Sequence, residues 1–186
     1  QRACRETLGL PPDQPMVLVI GGSQGARGVN RLITTASSEW LGVSLLHICG
    51  AMDEAEVREA YAGTALDVQV HAFLKAMPQA LSAATVAVSR AGASSIAELA
   101  AARVPAVFIP LPNSADDHQR ANAAAVAAAG GGQVLDQHET SPSELGGVVQ
   151  NLVEDDQARA NMADGMATLD RPESAAQIAD RILRRL

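Results

Sequence analysis

Aromatic side chains are nearly absent: Trp40, Tyr61, Phe73 and Phe108 make up 2% of 186 residues. That is too few to build the stacking platforms that hold rows of bases. A basic surface is missing as well. The net charge is -7, and Lys and Arg are scattered until Arg181, Arg184 and Arg185, so the electrostatic footprint of a nucleic-acid binder is not there. The two cysteines, Cys4 and Cys49, stand far apart with no CxxC or Cys/His ligand spacing, which argues against a zinc site and fits free thiols in a reducing cytoplasm. The longest apolar runs, at 16–20 and 106–111, fall far short of the ~20 residues of a membrane-spanning helix. Gln1 opens the chain, and Arg2, Arg5 and Glu6 close behind it do not make a signal peptide. The expectation is a cytoplasmic protein, and a piece cut from something larger.

What is present is a rhythm. Residues 16–20 (MVLVI) form a short β-rich run that ends in Gly21-Gly22, and 26–40 then shows helical spacing through Val29, Leu32, Ile33 and Ala36. The unit recurs as strand 44–49 with helix 53–62, strand 67–73 with helix 78–84, strand 85–89 with helix 94–103, and strand 105–109 with helix 116–129. A sixth strand is expected at 133–136, followed by helices over 143–154, 156–168 and 173–186, with Pro172 as a break. Alternation of this kind predicts an α/β protein, a Rossmann-like parallel sheet with helices on both faces. Its ligands would sit beyond the carboxyl ends of the strands. The length suits one domain spanning 1–186.

Three strand ends could hold a ligand. The first is Gly21-Gly22-Ser23-Gln24-Gly25-Ala26-Arg27, whose small residues let amides approach an anion ahead of a helix start. It is neither GxGxxG nor the phosphate-binding pattern ending in Lys-Ser/Thr, so NAD and ATP do not follow from it; a bare glycine turn is the alternative. The second is Ser89-Arg90-Ala91-Gly92-Ala93-Ser94-Ser95 with Glu98 one turn on. A carboxylate there suits a ribose diol, which offers it two hydroxyl donors. Equally, Ser95-Ile96-Ala97-Glu98 could be a capping box in which Glu98 serves its own helix. The third runs from Pro110-Leu111-Pro112 into Asp116-Asp117-His118-Gln119 and Asn122, where imidazole and amides suit sugar hydroxyls. Asp116 and Asp117 diverge on a helix and have no second ligand cluster, so capping or a solvated helix start is expected rather than a metal. His47, His71 and His138 read as structural; only His118 has functional company.

Taken together, the Gly21–Arg27 run with Asn30, the Ser89–Ala93 run with Glu98, and Asp117-His118-Gln119 with Asn122-Ala123 resemble the C-terminal domain of the MurG-type N-acetylglucosaminyltransferase family. The resemblance runs from about Leu8 to Leu186. It implies the C-terminal, donor-binding half of a two-domain GT-B enzyme that transfers N-acetylglucosamine from UDP-GlcNAc to lipid I, giving lipid II of peptidoglycan with inversion. By the same resemblance, Gly22, Ser23 and the amides of Ala93 and Ser94 lie near the diphosphate, and Glu98 holds the ribose. His118 and Gln119 face the sugar or its phosphate, and backbone around Phe73 receives the uracil. Arg90 orients its loop or helps at the nucleotide edge. The catalytic base is expected in the N-terminal acceptor-binding domain, which this sequence lacks, so the chain alone is expected to bind donor without transfer.

The resemblance further implies no tightly bound cofactor or metal, contact with lipid I and the membrane only through the full-length protein, and a place on the cytoplasmic face of the bacterial inner membrane. Two rivals stand beside it: another GT-B enzyme, such as a lipid glycosyltransferase or a UDP-GlcNAc 2-epimerase, and a non-catalytic nucleotide-sugar-binding subunit. A dinucleotide oxidoreductase lacks both its glycine fingerprint and the acidic residue after the second strand.

Overall fold

The computed structural model describes residues 1–22, 26–112 and 117–185. Ser23 and Asp116, both singled out in the sequence, lie outside the described residues. After helix α1 (Arg2–Thr7), the chain runs β1 (Met16–Ile20), α2 (Arg27–Ala36), β2 (Ser44–Ile48), α3 (Glu54–Ala60), β3 (Asp67–His71), α4 (Met77–Ala83), β4 (Val86–Ser89) and α5 (Ala93–Ala102). It continues through β5 (Ala106–Phe108), α6 (His118–Ala128), β6 (Gly132–Val134), α7 (Pro142–Glu154), α8 (Asp156–Ala167) and α9 (Ser174–Leu183).

The strands form one six-stranded sheet, ordered β3-β2-β1-β4-β5-β6 and parallel at every pairing. The alternation of β-branched and leucine residues explains how one sheet feeds two cores, because successive side chains point to opposite faces. Val17, Val19, Leu45, Val86 and Val88 face a core closed by Val29 and Ile33 of α2, Val57 of α3, and Leu145 and Val149 of α7. Met16, Leu18, Leu46, Ala87 and Phe108 face the other core, closed by Leu81 of α4, Leu99 of α5 and Val126 of α6. Helices therefore cover both faces, as the sequence predicts.

Chain order reverses between β1 and β4, which pair in register from Val17↔Val86 to Ile20↔Ser89. Open parallel sheets bind ligands outside such a switch point. Here the register places the turn after Ile20 directly beside the turn after Ser89, so two of the three strand ends read from the sequence become neighbours.

Two expectations need correction. The sequence reading assigned no element to the first nine residues, yet α1 forms and packs on α4. Its only buried residue is Arg5, whose Nε donates to Ala83 O at 3.0 Å and whose Nη2 donates to Thr85 Oγ1 at 2.9 Å; a helix anchored by an arginine shows no apolar stripe. The helix expected over 26–40 ends at Ala36 and tightens into a 3-10 turn over Ser37–Glu39. That tight turn swings Trp40, only 2% exposed, into the core.

Candidate functional site

The two turns at the switch point look alike in sequence and differ in charge. After β1, Gly21 is required because the Asn30 side chain lies over it: a Cβ there would sit 2.8 Å from Asn30 Oδ1 and 3.1 Å from Ile48 O. Gly22 has φ +102, a region L side chains avoid. α2 then begins with no cap from its own segment. Instead Asp53, 3% exposed and 27 residues away, accepts the Ala26 N–H through Oδ2 at 3.2 Å. Arg27 Nε lies 3.6 Å from Asp53 Oδ1 and 3.4 Å from Glu56 Oε2. An anion therefore already occupies the start of α2.

After β4 the situation is the reverse. Gly92 is the N-cap of α5, extended at φ -69 and ψ 142, with no side-chain cap and no acidic residue in the first turn. Helix N-termini carry unsatisfied amides and about half a positive charge, and this one is left open to solvent by the exposed Ala93 and Ser94. A phosphate group is better seated at α5 than at α2 because only α5 lacks a carboxylate at its start.

Glu98 is exposed on α5. The capping-box alternative fails, since the helix starts at Ala93 rather than after Ser95, which puts Glu98 in the second turn, out of reach of the first amide. Glu98 instead lines a groove between α4 and α5 with Met77, Pro78, Leu81 and Ser82. Phe73 lies four residues before Met77, in the segment after β3, and is 76% exposed. The other three aromatics, Trp40, Tyr61 and Phe108, are buried. A phenyl ring held out in water at a strand's carboxyl end is in position to be covered by a ligand or by another part of a larger protein.

Arg90 is the residue whose place the sequence defined least. It is 7% exposed, and its Nη1 donates to Ile109 O at 2.9 Å and Pro110 O at 3.0 Å, while Nη2 donates to Gln137 Oε1 at 2.6 Å. It binds the turn after β4 to the loops after β5 and β6. No carboxylate pairs with it among the described residues, and burial pulls its pKa down to about 10. It stays charged at neutral pH, with its guanidinium against Gln137, which in turn packs on Gly28 of α2.

α6 supplies the last group. Its N-cap, Asp117, adopts a left-handed φ of 51 and gives its helix no side-chain bond; its carboxylate pairs with Arg120 at 3.6 Å. His118 is exposed and Gln119 half-buried, and Gln119 Oε1 accepts the Leu111 N–H at 2.9 Å. Asn122 Nδ2 donates to Ala91 O at 3.1 Å, which ties α6 to the turn before α5. Gly22, Arg90, Ala93, Ser94, Glu98, His118 and Gln119 thus all stand at the ends of β1, β4 and β5, while Phe73 follows the edge strand. Among the described residues no group of three His, Cys, Asp or Glu side chains could hold a metal ion, and no helix is long and apolar enough to cross a membrane.

Sequence reasoning missed Asp53 and Gln137. Neither lies near its partner in the chain, so no local motif announces them. Of the three lone histidines, His47 is fully buried and so structural; His71 lies 3.5 Å from Gln69 and His138 is exposed in a turn. Both cysteines are free thiols.

Comparison with known proteins bears on these features. Residues 16–182 match the glycosyltransferase family 28 C-terminal domain. The chain is 40% identical over 173 residues to the UDP-N-acetylglucosamine--N-acetylmuramyl-(pentapeptide) pyrophosphoryl-undecaprenol N-acetylglucosamine transferase of Xanthomonas axonopodis pv. citri, covering 90% of this chain and 40% of that protein. Among solved structures, MurG of Acinetobacter baumannii superposes with a TM-score of 0.84 at 32% identity, over 92% of this chain and 50% of that one. A putative UDP-N-acetylglucosamine 2-epimerase from Listeria monocytogenes shares the fold, with a TM-score of 0.66 at 15% identity, over 95% of this chain and 46% of that one. The chain therefore spans half or less of the length of these proteins.

Proposed function

The chain belongs to the glycosyltransferase family 28 C-terminal domain family, and from that premise we propose that it is the donor-binding half of an inverting N-acetylglucosaminyltransferase that holds UDP-GlcNAc. In this reading residues 1–186 are one nucleotide-sugar-binding domain. The observation that carries it is the uncapped, acid-free start of α5 at the switch point, with the exposed Glu98 one turn further along. The diphosphate rests on the amides of Ala93 and Ser94, with Gly22 on its other side; Ser23, proposed from the sequence for the same group, lies outside the described residues. Glu98 accepts the two ribose hydroxyls, uracil lies against backbone around Phe73, and His118 and Gln119 face the sugar. Arg90 acts by holding the loops after β5 and β6 against the turn after β4.

The chemistry is direct displacement. The acceptor hydroxyl oxygen forms a bond to the anomeric carbon while the bond to the UDP phosphate oxygen breaks, which inverts that carbon. The hydroxyl proton passes to a base outside this chain. Negative charge growing on UDP is met by α5 amides and its helix dipole, which stabilise the transition state more than the bound donor. The acceptor is lipid I and the product lipid II, made by the full-length protein at the cytoplasmic face of the inner membrane, where it serves peptidoglycan synthesis, cell shape and division. The chain by itself binds donor and does not transfer.

Calorimetric titration of this chain with UDP-GlcNAc tests the reading, with UDP, UDP-glucose and NAD as comparisons. The expected result is binding of the uridine nucleotides, weakened in Glu98→Ala by about 1.5–3 kcal/mol, the range for hydrogen bonds to a charged group. Binding of NAD in their place, or of no uridine nucleotide by the folded chain, refutes it.

A further inference from the structure

Gln137 belongs to none of the ligand contacts above, yet it joins both sides of the crevice. It follows β6 in the chain, and its Oε1 accepts from Arg90 Nη2 at 2.6 Å. A guanidinium has only donors, so the atom facing it must be the amide oxygen, which turns Nε2 the other way. Nε2 lies over α2. A Cβ built on Gly28, the second residue of that helix, would sit 2.8 Å from Gln137 Nε2, 3.2 Å from Cδ and 3.3 Å from Oε1. The carboxamide is therefore seated where Gly28 leaves a side chain out.

The guanidinium at the other end of this wedge belongs to the turn that opens α5. Arg90 Cγ lies 4.0 Å from the place a Cβ on Gly22 would take, and Arg90 Nη1 holds Ile109 O and Pro110 O. Two residues on, Gly92 is the N-cap of α5, whose first amides are those of Ala93 and Ser94. Because the guanidinium is a planar fork, fixing one arm orients the others. Nothing in the sheet demands the contact, since β6 is an edge strand separated from β4 by β5. We propose that Gln137, seated on Gly28, is a positioning residue for the nucleotide sugar: it sets Arg90, and with it the turn that carries the α5 amides, at a fixed distance from α2. Gln137 is uncharged, so it acts by spacing and neither attracts nor repels the diphosphate. The inference rests on the donor-binding reading above.

The test is a cycle of Gly28→Ala, Gln137→Ala and the double variant in the whole chain, with UDP-GlcNAc affinity by calorimetry and melting temperature by circular dichroism. Gly28 lies in α2 without a positive φ, and the three atoms nearest its missing Cβ all belong to the flexible end of Gln137. Alanine there fits the helix and expels the carboxamide. Since alanine is also the better helix former, Gly28→Ala should melt no lower than the wild type. It should nonetheless weaken UDP-GlcNAc by about ten-fold, within the range carried by packed residues that do not touch the ligand. Gln137→Ala should weaken it as much, and the double variant no more than either, because both changes break one contact. The positioning role is overturned, with the donor-binding reading left standing, by losses that add, by either single variant binding as the wild type does, or by a Gly28→Ala chain whose melting temperature falls with its affinity. If the folded wild-type chain binds neither UDP-GlcNAc nor UDP, the donor-binding reading falls and this inference with it.

Discussion

Replacing His47 with glutamine should flatten the acid limb of the chain's stability curve. His47 is fully enclosed, and burial holds its imidazole neutral, with a pKa lowered from 6.5 to about 3. In the unfolded chain the ring takes up a proton below its ordinary pKa; in the fold it cannot until far lower. The unfolded state then binds the extra proton, so the contribution of this group is fully present above pH 6.5, falls as pH drops, and levels off near 3. One pKa unit is worth about 1.4 kcal/mol, so acidification from about pH 6.0 to 4.5 removes about 2 kcal/mol through this single site. That is a large share of the roughly 5–15 kcal/mol that hold a domain folded. Urea unfolding followed by the fluorescence of Trp40, which is 2% exposed, measures it at each pH. Glutamine keeps a nitrogen donor for Asn30 Oδ1 but does not titrate. Glu56, whose carboxyl is held below its usual range by the Arg31 hydrogen bond, is common to both proteins and cancels in the difference. Parallel pH slopes for wild type and His47→Gln would refute the argument, as would a wild type that gains stability on acidification.

Two further substitutions probe how the crevice is braced. Arg90→Lys should lower unfolding stability by about 1–3 kcal/mol in urea titrations, because the acceptors Ile109 O and Pro110 O sit on one guanidinium nitrogen and Gln137 Oε1 on another, a fork that a single ammonium nitrogen does not reproduce, so a buried acceptor loses its donor. Gly165→Ala should destabilise by about 1–3 kcal/mol despite alanine's better helix propensity, read as a lower melting temperature. A Cβ at that position would meet backbone, 2.4 Å from Gly130 C and 2.6 Å from Ala129 O, so α8 would have to move off the turn that follows α6.

The sheet was legible because its strands alternate between two apolar cores: Val17 and Val19 face one, Leu18 and Ile20 the other. Helix starts at 26 and 94 were read within one residue of Arg27 and Ala93, although neither helix has the side-chain cap that usually signals a start; what the missing cap left open was whether Ser95 and Glu98 form a capping box. Where the signal was present, as at Ser141 and Asp155, the side chain does cap its helix. Glu98 and the α5 turn were visible as a constellation because their residues are close in sequence. The bonds that join Ala26, Asn30, His47, Asp53 and Tyr61 were not, since they link residues 14 to 27 positions apart, and only the folded sheet brings them together.

The epimerase shares this fold at 15% identity, so the fold alone cannot choose a ligand. The choice lies in what stands at each helix start. At α2 an internal carboxylate meets the first amide and an arginine pairs with it, so that end is electrically closed and serves as a fixed wall. At α5 the cap is a glycine and the first turn carries no acid. Two anions at adjacent helix ends would repel each other in a crevice of low dielectric. In the proposed reading a diphosphate is drawn to α5 and merely bounded by α2, with the nucleoside on the α4–α5 side, where Glu98 and Met77 line the groove, and the sugar is left to His118 and Gln119 at the start of α6.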